Sequence, residues 1–204
     1  MERVITYIDG FNLYYGLKSK NFRRYYWLNL QALAKNLLKP HQKLMACKYF
    51  TARISGPPAK AKRQTTYIEA LETLGMVEIF YGKYFVKPII CNKCKYTNYI
   101  PEEKMTDVNI ATEMIVDAFR SSYDTAMLIS ADSDLSHSVS SISKLFPEKR
   151  IVVCFPPGRS SFALSNACSG RSFVIGRRTL AKSVLTDIVT KDNAVQLKRP
   201  ENWK

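Results

Sequence analysis

Short apolar runs alternate with helix-period segments along most of the chain. Val4 to Ile8 is apolar almost throughout and stops at Asp9-Gly10, the signature of a buried strand. A short helix is predicted from Asn12 to Lys18. Asn29 is placed to cap a better one, Leu30 to Leu38, which Pro40 stops. Lys43 to Arg53 reads as a second strand. Pro57-Pro58 opens a long helix to Thr73, with Ile68, Leu71 and Leu74 on one face and Gly75 at its end. Met76 to Val86 is strand-like around a bulge or turn at Gly82, and Cys91 to Tyr99 reads as a polar loop. Thr106 is expected to cap a helix with Val108, Ala111, Ile115 and Phe119 inward. Ala126 to Ile129, Ile151 to Phe155 and Ser172 to Ile175 are further strands, separated by helices. Residues 181–204 have weak periodicity and read as a C-terminal tail after a domain at 1–180, with a Cys-containing insertion around 88–101.

Strands that alternate with helices imply an α/β fold with a mostly parallel sheet covered on both faces. Such a sheet carries its site beyond the carboxyl ends of its strands, where strand order reverses.

Charge narrows the choice of partner. The 204 residues carry 31 Lys and Arg against 17 Asp and Glu, a net charge of +14. Residues 1–64 hold 13 of the cations and only two acids, Glu2 and Asp9. An excess of this kind favours a polyanion, nucleic acid ahead of a membrane surface. Lys18, Lys20, Arg23 and Arg24 precede Tyr25, Tyr26 and Trp27. The cations suit phosphates, and a ring such as Trp27 suits an unpaired base; a buried strand with a solvated face is the competing reading. No apolar run approaches the roughly 18 residues of a membrane span. The irregular set of five cysteines argues against a secreted disulfide framework, so a cytoplasmic location is expected.

The carboxylates fall where the fold rule places a site. Asp9 ends the first strand, and Ser130-Ala131-Asp132-Ser133-Asp134 follows the strand at 126–129. Asp107 opens the helix before that strand. Like charges brought together repel, and a cation between them relieves the repulsion. With oxygen donors and no His nearby in sequence, Mg²⁺ or Mn²⁺ is favoured over Zn²⁺. Helix capping explains Asp107, Asp132 or Asp134 singly, but not the coincidence of all with Asp9. Glu113 and Asp117 read as surface positions of a helix, and Asp124 as a turn residue.

These motifs have a family likeness. Tyr7-Ile8-Asp9-Gly10-Phe11-Asn12-Leu13 resembles the opening motif of the NYN domain, a branch of the PIN-like nuclease superfamily. Glu103-Lys104-Met105-Thr106-Asp107-Val108 is similar to its second motif, and Leu128-Ile129-Ser130-Ala131-Asp132-Ser133-Asp134 to its third. The resemblance spans roughly residues 1–180. It implies a PIN-like three-layer α/β/α sandwich and a metal-dependent endoribonuclease acting on RNA. Carried over by position, the metal-binding and catalytic set is Asp9, Asp107, Asp132 and Asp134, with Asn12 as a neutral neighbour. Ala131 stands where the family often has Gly, which removes no ligand. Lys104 and Arg159 are candidate phosphate contacts, and solvated cations on the competing reading.

Cys91-Asn92-Lys93-Cys94 resembles half of a zinc knuckle. Structural Zn²⁺ there would need further ligands, for instance from a partner chain, so a homodimer stays among the options. Two free thiols in a loop is the plainer reading. Two other functions compete with the ribonuclease: a non-cleaving RNA-binding module of the same fold, and a phosphatase of the haloacid dehalogenase type. The phosphatase chemistry wants Asp two residues after Asp9, where Phe11 stands.

Overall fold

The computed structural model describes residues 1–54, 57–192 and 194–204, with backbone alone at positions 84 and 100–103. Strand β1 (Glu2–Asp9) runs into helix α1 (Gly10–Ser19) with no intervening loop, because Asp9 is itself the helix cap. Helix α2 (Leu30–Leu37) follows, capped by Asn29, whose side chain accepts from Ala32 N at 2.8 Å. Then come β2 (Gln42–Thr51), α3 (Pro58–Glu72) and β3 (Val77–Tyr81). The central segment is β4 (Lys83–Ile90), β5 (Thr97–Lys104), α4 (Thr106–Phe119) and β6 (Thr125–Ile129). The chain continues through α5 (Ser136–Leu145), β7 (Arg150–Phe155), α6 (Phe162–Ala167), β8 (Ser172–Val174) and α7 (Arg177–Ala181). It closes with β9 (Ile188–Thr190) and β10 (Gln196–Lys198).

Six strands form one parallel sheet in the order β3-β2-β1-β6-β7-β8. The order grows one way from β1 to β3 and the other way from β6 to β8. The reversal lies between β1 and β6, which are adjacent, with Ile8 opposite Ile129. The two faces carry separate cores. Val4, Ile8 and Cys47 pack with Leu13, Leu33 and Leu71 on one side. Ile5, Tyr7 and Leu128 pack with Ile110, Met114 and Ile142 on the other. The result is the three-layer α/β/α sandwich expected from the alternation. Among the described residues no helix is long and apolar enough to cross a membrane.

The run from Met76 to Val86 breaks into two strands at Gly82, where a turn or bulge is expected and where a Cβ would lie 2.5 Å from Thr106 Oγ1. Other local expectations are corrected. The second of these strands, β4, turns back through Cys91–Cys94 and pairs antiparallel with β5, so the Cys-containing insertion is a β-ribbon rather than a polar loop. Helix α4 buries Ile110, Met114, Asp117 and Ala118, while Val108 and Phe119 face solvent. Asp117 belongs to the inner stripe because Lys48 of β2 reaches it, Nζ to Oδ2 at 2.6 Å. Residues 181–204 are packed rather than trailing. Leu185, Val189 and Leu197 close over Trp27 and Ala70 in a small core of their own.

That core also corrects the role given to Trp27. Its exposure is 0%, and its Nε1 donates to Thr186 O at 2.8 Å. A large ring with its one donor satisfied inside is a packing residue, unable to stack on a base. Tyr25 is buried as well, at 2%.

A surface clasp joins β1 to the turn before β6. Arg3 donates from its backbone N to Asp124 Oδ2 at 2.8 Å and from Nη2 to Oδ1 at 2.7 Å. The guanidinium, then the backbone N–H, holds the Asp124 carboxyl at about 2. The usual carboxyl value is about 3.9. A depressed folded value stabilises the protein above the unfolded one and is lost as pH falls from about 4 to about 2. Thermal melts of Asp124→Asn are therefore expected below wild type at neutral pH, with the gap closing towards pH 2. A gap that is constant across acid pH would show the clasp to be irrelevant to acid unfolding.

Candidate metal centre

The site is built at the strand-order reversal. Asp9 ends β1 and is 4% exposed. Its Oδ1 accepts from Asn12 N at 2.9 Å, which starts α1, and its Oδ2 accepts from Ser130 Oγ at 2.8 Å. Ser130 follows β6, and its Oγ in turn accepts from Asp132 N at 3.0 Å. Asp132 Oδ1 accepts from Asp134 N at 3.0 Å, so Asp132 caps the turn into α5. Carboxylate oxygens have two lone pairs each, so these bonds orient the groups and leave ligand capacity.

Asp107 reaches the same place from α4. The helix is entered through Met105, which has φ 75°, so the left-handed turn rather than a Thr106 side-chain cap sets its start. A non-glycine residue there costs on the order of 1–2 kcal/mol. The close approach of Gly82 to Lys104 O and Thr106 holds this turn against the end of β3. The strain is spent where the backbone aims Asp107 at the other carboxylates.

Oxygens of Asp9, Asp107 and Asp132 all lie within 4.8 Å of one another. Burial pushes the Asp107 carboxyl up to about 6, with Asp9, Asp132 and Asp134 adding to the effect. Burial also raises Asp9, against the pull of the Asn12 N–H and the Ser130 hydroxyl. Three carboxylates so close, with their hydrogen bonds coming from neutral donors, fit a divalent cation, and the all-oxygen set suits a hard one. Among the described residues this is the one group of three or more metal-ligating side chains.

The other expected residues distribute around it. Asp134 is exposed and stands outside the triad; its N–H donates to Asp132 Oδ1, and its charge adds to the crowding on Asp107. Asn12 is buried and acts through its side chain: Oδ1 accepts from Ala131 N at 3.1 Å and from Arg159 Nη1 at 3.2 Å. Arg159 is thereby anchored beside the triad. The loop carrying it packs tightly on α1, where a Cβ on Gly16 would lie 2.6 Å from Pro156 Cβ. Gly158, at φ +70°, makes the turn, and Lys20 lies across it. Lys18, Lys20, Arg23 and Arg24 are all exposed at the end of α1 and the turn after it. Lys104 is exposed at the end of β5, and the Glu103 side chain of the second motif lies outside the described residues. Cys91 and Cys94 are exposed at the tip of the β4–β5 ribbon. N–H groups of Cys94 and Lys93 pull the Cys91 thiol down. Ser130, inside the third motif, is the further residue that the structure adds to the site, and its sign in the sequence is a hydroxyl directly after the strand that borders Asp9.

The NYN domain profile matches residues 3–175. The chain belongs to the NYN domain family. In this NYN domain the three motifs supply one triad carboxylate each, and the family is a nuclease-like branch of the PIN-like superfamily. A curated relative, 6-hydroxy-3-succinoylpyridine 3-monooxygenase HspA of Pseudomonas putida, is 29% identical over 194 residues. The match covers 76% of this chain and 59% of that protein, so the NYN chain spans well under two thirds of its relative's length. A crystal structure of a Vibrio parahaemolyticus protein of unknown function superposes with a TM-score of 0.55 at 21% identity. It covers 90% of this chain and 96% of the other, a likeness of fold.

Proposed function

We propose that this NYN domain is a metal-dependent endoribonuclease that hydrolyses RNA phosphodiester bonds with Mg²⁺ or Mn²⁺. The observation that carries the reading is the Asp9, Asp107 and Asp132 triad, within 4.8 Å, at the reversal point of a strongly basic chain. Bound there, such a cation supplies an activated water and stabilises the leaving oxygen of the phosphodiester.

The chain's own residues do the rest. Asp9 is the central ligand, because the Asn12 N–H and the Ser130 hydroxyl hold both of its oxygens. Asp107 and Asp132 flank it, and exposed Asp134 stands at the solvent side. Asn12 fixes the loop after β6 through Ala131 and holds Arg159 through the same oxygen. Arg159 thus presents positive charge to the phosphate without entering the ligand set. The exposed Lys18, Lys20, Arg23 and Arg24, with Lys104, draw the RNA backbone towards the site.

The test is cleavage of a mixed RNA pool by protein freed of metal. EDTA is expected to stop the reaction, and Mg²⁺ or Mn²⁺ to restore it. Restoration by Zn²⁺ alone would overturn the oxygen-site reading and turn attention to Cys91 and Cys94. RNA binding without cleavage in any of these metals would leave a non-cleaving module of the same fold.

A further inference from the structure

A second concavity opens one residue beyond Asp9. It has a volume of about 570 Å³ and begins at Gly10 and Phe11. Helix α1 contributes Phe11 and Tyr15, the β4–β5 ribbon contributes Tyr99, and α3 contributes Lys60 and Arg63. Lys18 completes a set of three cations, and no described carboxylate lines the space. None of the three has an acidic partner among the described residues. Tyr99 is 66% and Tyr15 45% exposed, so two of the rings stand open to a ligand.

The lining selects a ligand by chemistry. Unpaired cations without an acid favour an anion and repel a cation. Flat aromatic walls favour a flat ring. A nucleotide unit joins the two, and the volume lies within the roughly 300–1,000 Å³ of small-ligand sites. The pocket is also wired to the carboxylates. Arg159, held by Asn12, has its guanidinium carbon 6.0 Å from the Tyr15 ring centroid, and Lys18 Nζ lies 5.7 Å from the same ring. From Asp9 to Tyr15 along α1 is about 9 Å at 1.5 Å per residue. That is two to three nucleotides at a stacked rise of about 3.4 Å.

We propose that this pocket receives an unpaired base of the RNA within a few nucleotides of the cleaved bond, with Lys18, Lys60 and Arg63 on the adjoining phosphates. The proposal deepens the ribonuclease reading and rests on it for the identity of the ligand. The pocket requires that base to be unpaired, because a base inside a duplex has both faces covered.

The test measures binding without cleavage. Calorimetric titrations of the Asp9→Asn protein would use a single-stranded oligoribonucleotide and the same strand annealed to its complement. The single strand is expected to bind at least about tenfold more tightly. Tyr99→Ala should weaken it by about tenfold, within the range of base–aromatic stacking, and Tyr99→Phe should restore it. The exposed position of Tyr99 keeps the fold out of the comparison, and a melt of each variant verifies this. Lys60→Ala with Arg63→Ala should flatten the slope of log affinity against log salt by about 1.4, at roughly 0.7 per contact. Equal affinity for duplex, or an unchanged affinity in Tyr99→Ala, would overturn the pocket assignment even if the wild type cleaves RNA. Binding of a free nucleoside monophosphate that Tyr99→Ala abolishes, with oligonucleotide binding untouched, would overturn it too. Loss of single-strand binding in Tyr99→Ala from a wild type that never cleaves would uphold the pocket and defeat the ribonuclease reading.

Discussion

Asp9→Asn is expected to lower RNA cleavage by more than about a hundredfold while leaving the melting temperature unchanged or raised. Changes to groups that merely orient a metal ligand cost about 10–100-fold, and Asp9 is placed as a ligand itself. The fold should tolerate the change for a local reason. The Asn oxygen still accepts from the Asn12 N–H, so the α1 cap survives. The Asn amide donates to Ser130 Oγ, where the carboxylate had accepted. A buried charge beside Asp107 and Asp132 is removed, which relieves crowding in the metal-free protein. Paired measurements of cleavage rate and melting temperature check both halves. Activity within tenfold of wild type in rigorously purified Asp9→Asn would sink the assignment of Asp9.

The largest stability effect is expected at Lys48, far from the proposed chemistry. Lys48 Nζ lies 2.7 Å from Glu113 Oε2 and 2.6 Å from Asp117 Oδ2, and Tyr7 Oη donates to that same Asp117 oxygen at 2.6 Å. Burial pulls the lysine down, but its two carboxylate partners outweigh this and hold it charged. Lys48→Met leaves the Asp117 carboxylate in the core without its cation. Such a loss costs about 3–5 kcal/mol. In a domain of this size that amounts to a fall of roughly 10 °C or more in melting temperature. Adding Asp117→Leu together with Tyr7→Phe should recover part of it, since apolar side chains then replace both the ion pair and the hydroxyl that donated to Asp117. Urea unfolding of the two variants decides. A single variant as stable as wild type would mean that water reaches Asp117.

The same lysine shows where the sequence stops being readable. Helix α4 offers two apolar stripes at helical spacing, one through Val108, Ile115 and Phe119 and one through Ile110, Met114 and Ala118. Placing Asp117 in solvent selects the first stripe, and the structure buries the second. Only a cation on another strand makes the buried choice favourable, and periodicity within one helix carries no trace of it. By contrast β1 and β6 are legible, because strands covered on both faces are apolar at nearly every position. Their ends are marked by Asp9 and by Ser130 to Asp134, so two of the triad ligands, Asp9 and Asp132, can be named from sequence. The β4–β5 ribbon is not legible as such. Its exposed apolar residues alternate with Lys and Pro, and Cys91 to Cys94 has turn composition. The three-residue strands β9 and β10 are too short to show a period, and Trp27 betrays its burial only through their contact.

That contact gives the protein an optical reporter. Trp27 and Trp203 are the chain's two tryptophans, and their rings lie 6.3 Å apart. Trp27 is sealed beneath the C-terminal hairpin, while Trp203 is partly exposed and borders the aromatic pocket. Tryptophan emission, excited beyond the absorption of the tyrosines, therefore comes from one small region. Undocking of the hairpin would shift Trp27 from an apolar to an aqueous spectrum. A base entering the pocket would quench Trp203 without that spectral shift. C-terminal docking and nucleotide capture thus become separable, one by colour and the other by intensity, in the unlabelled protein.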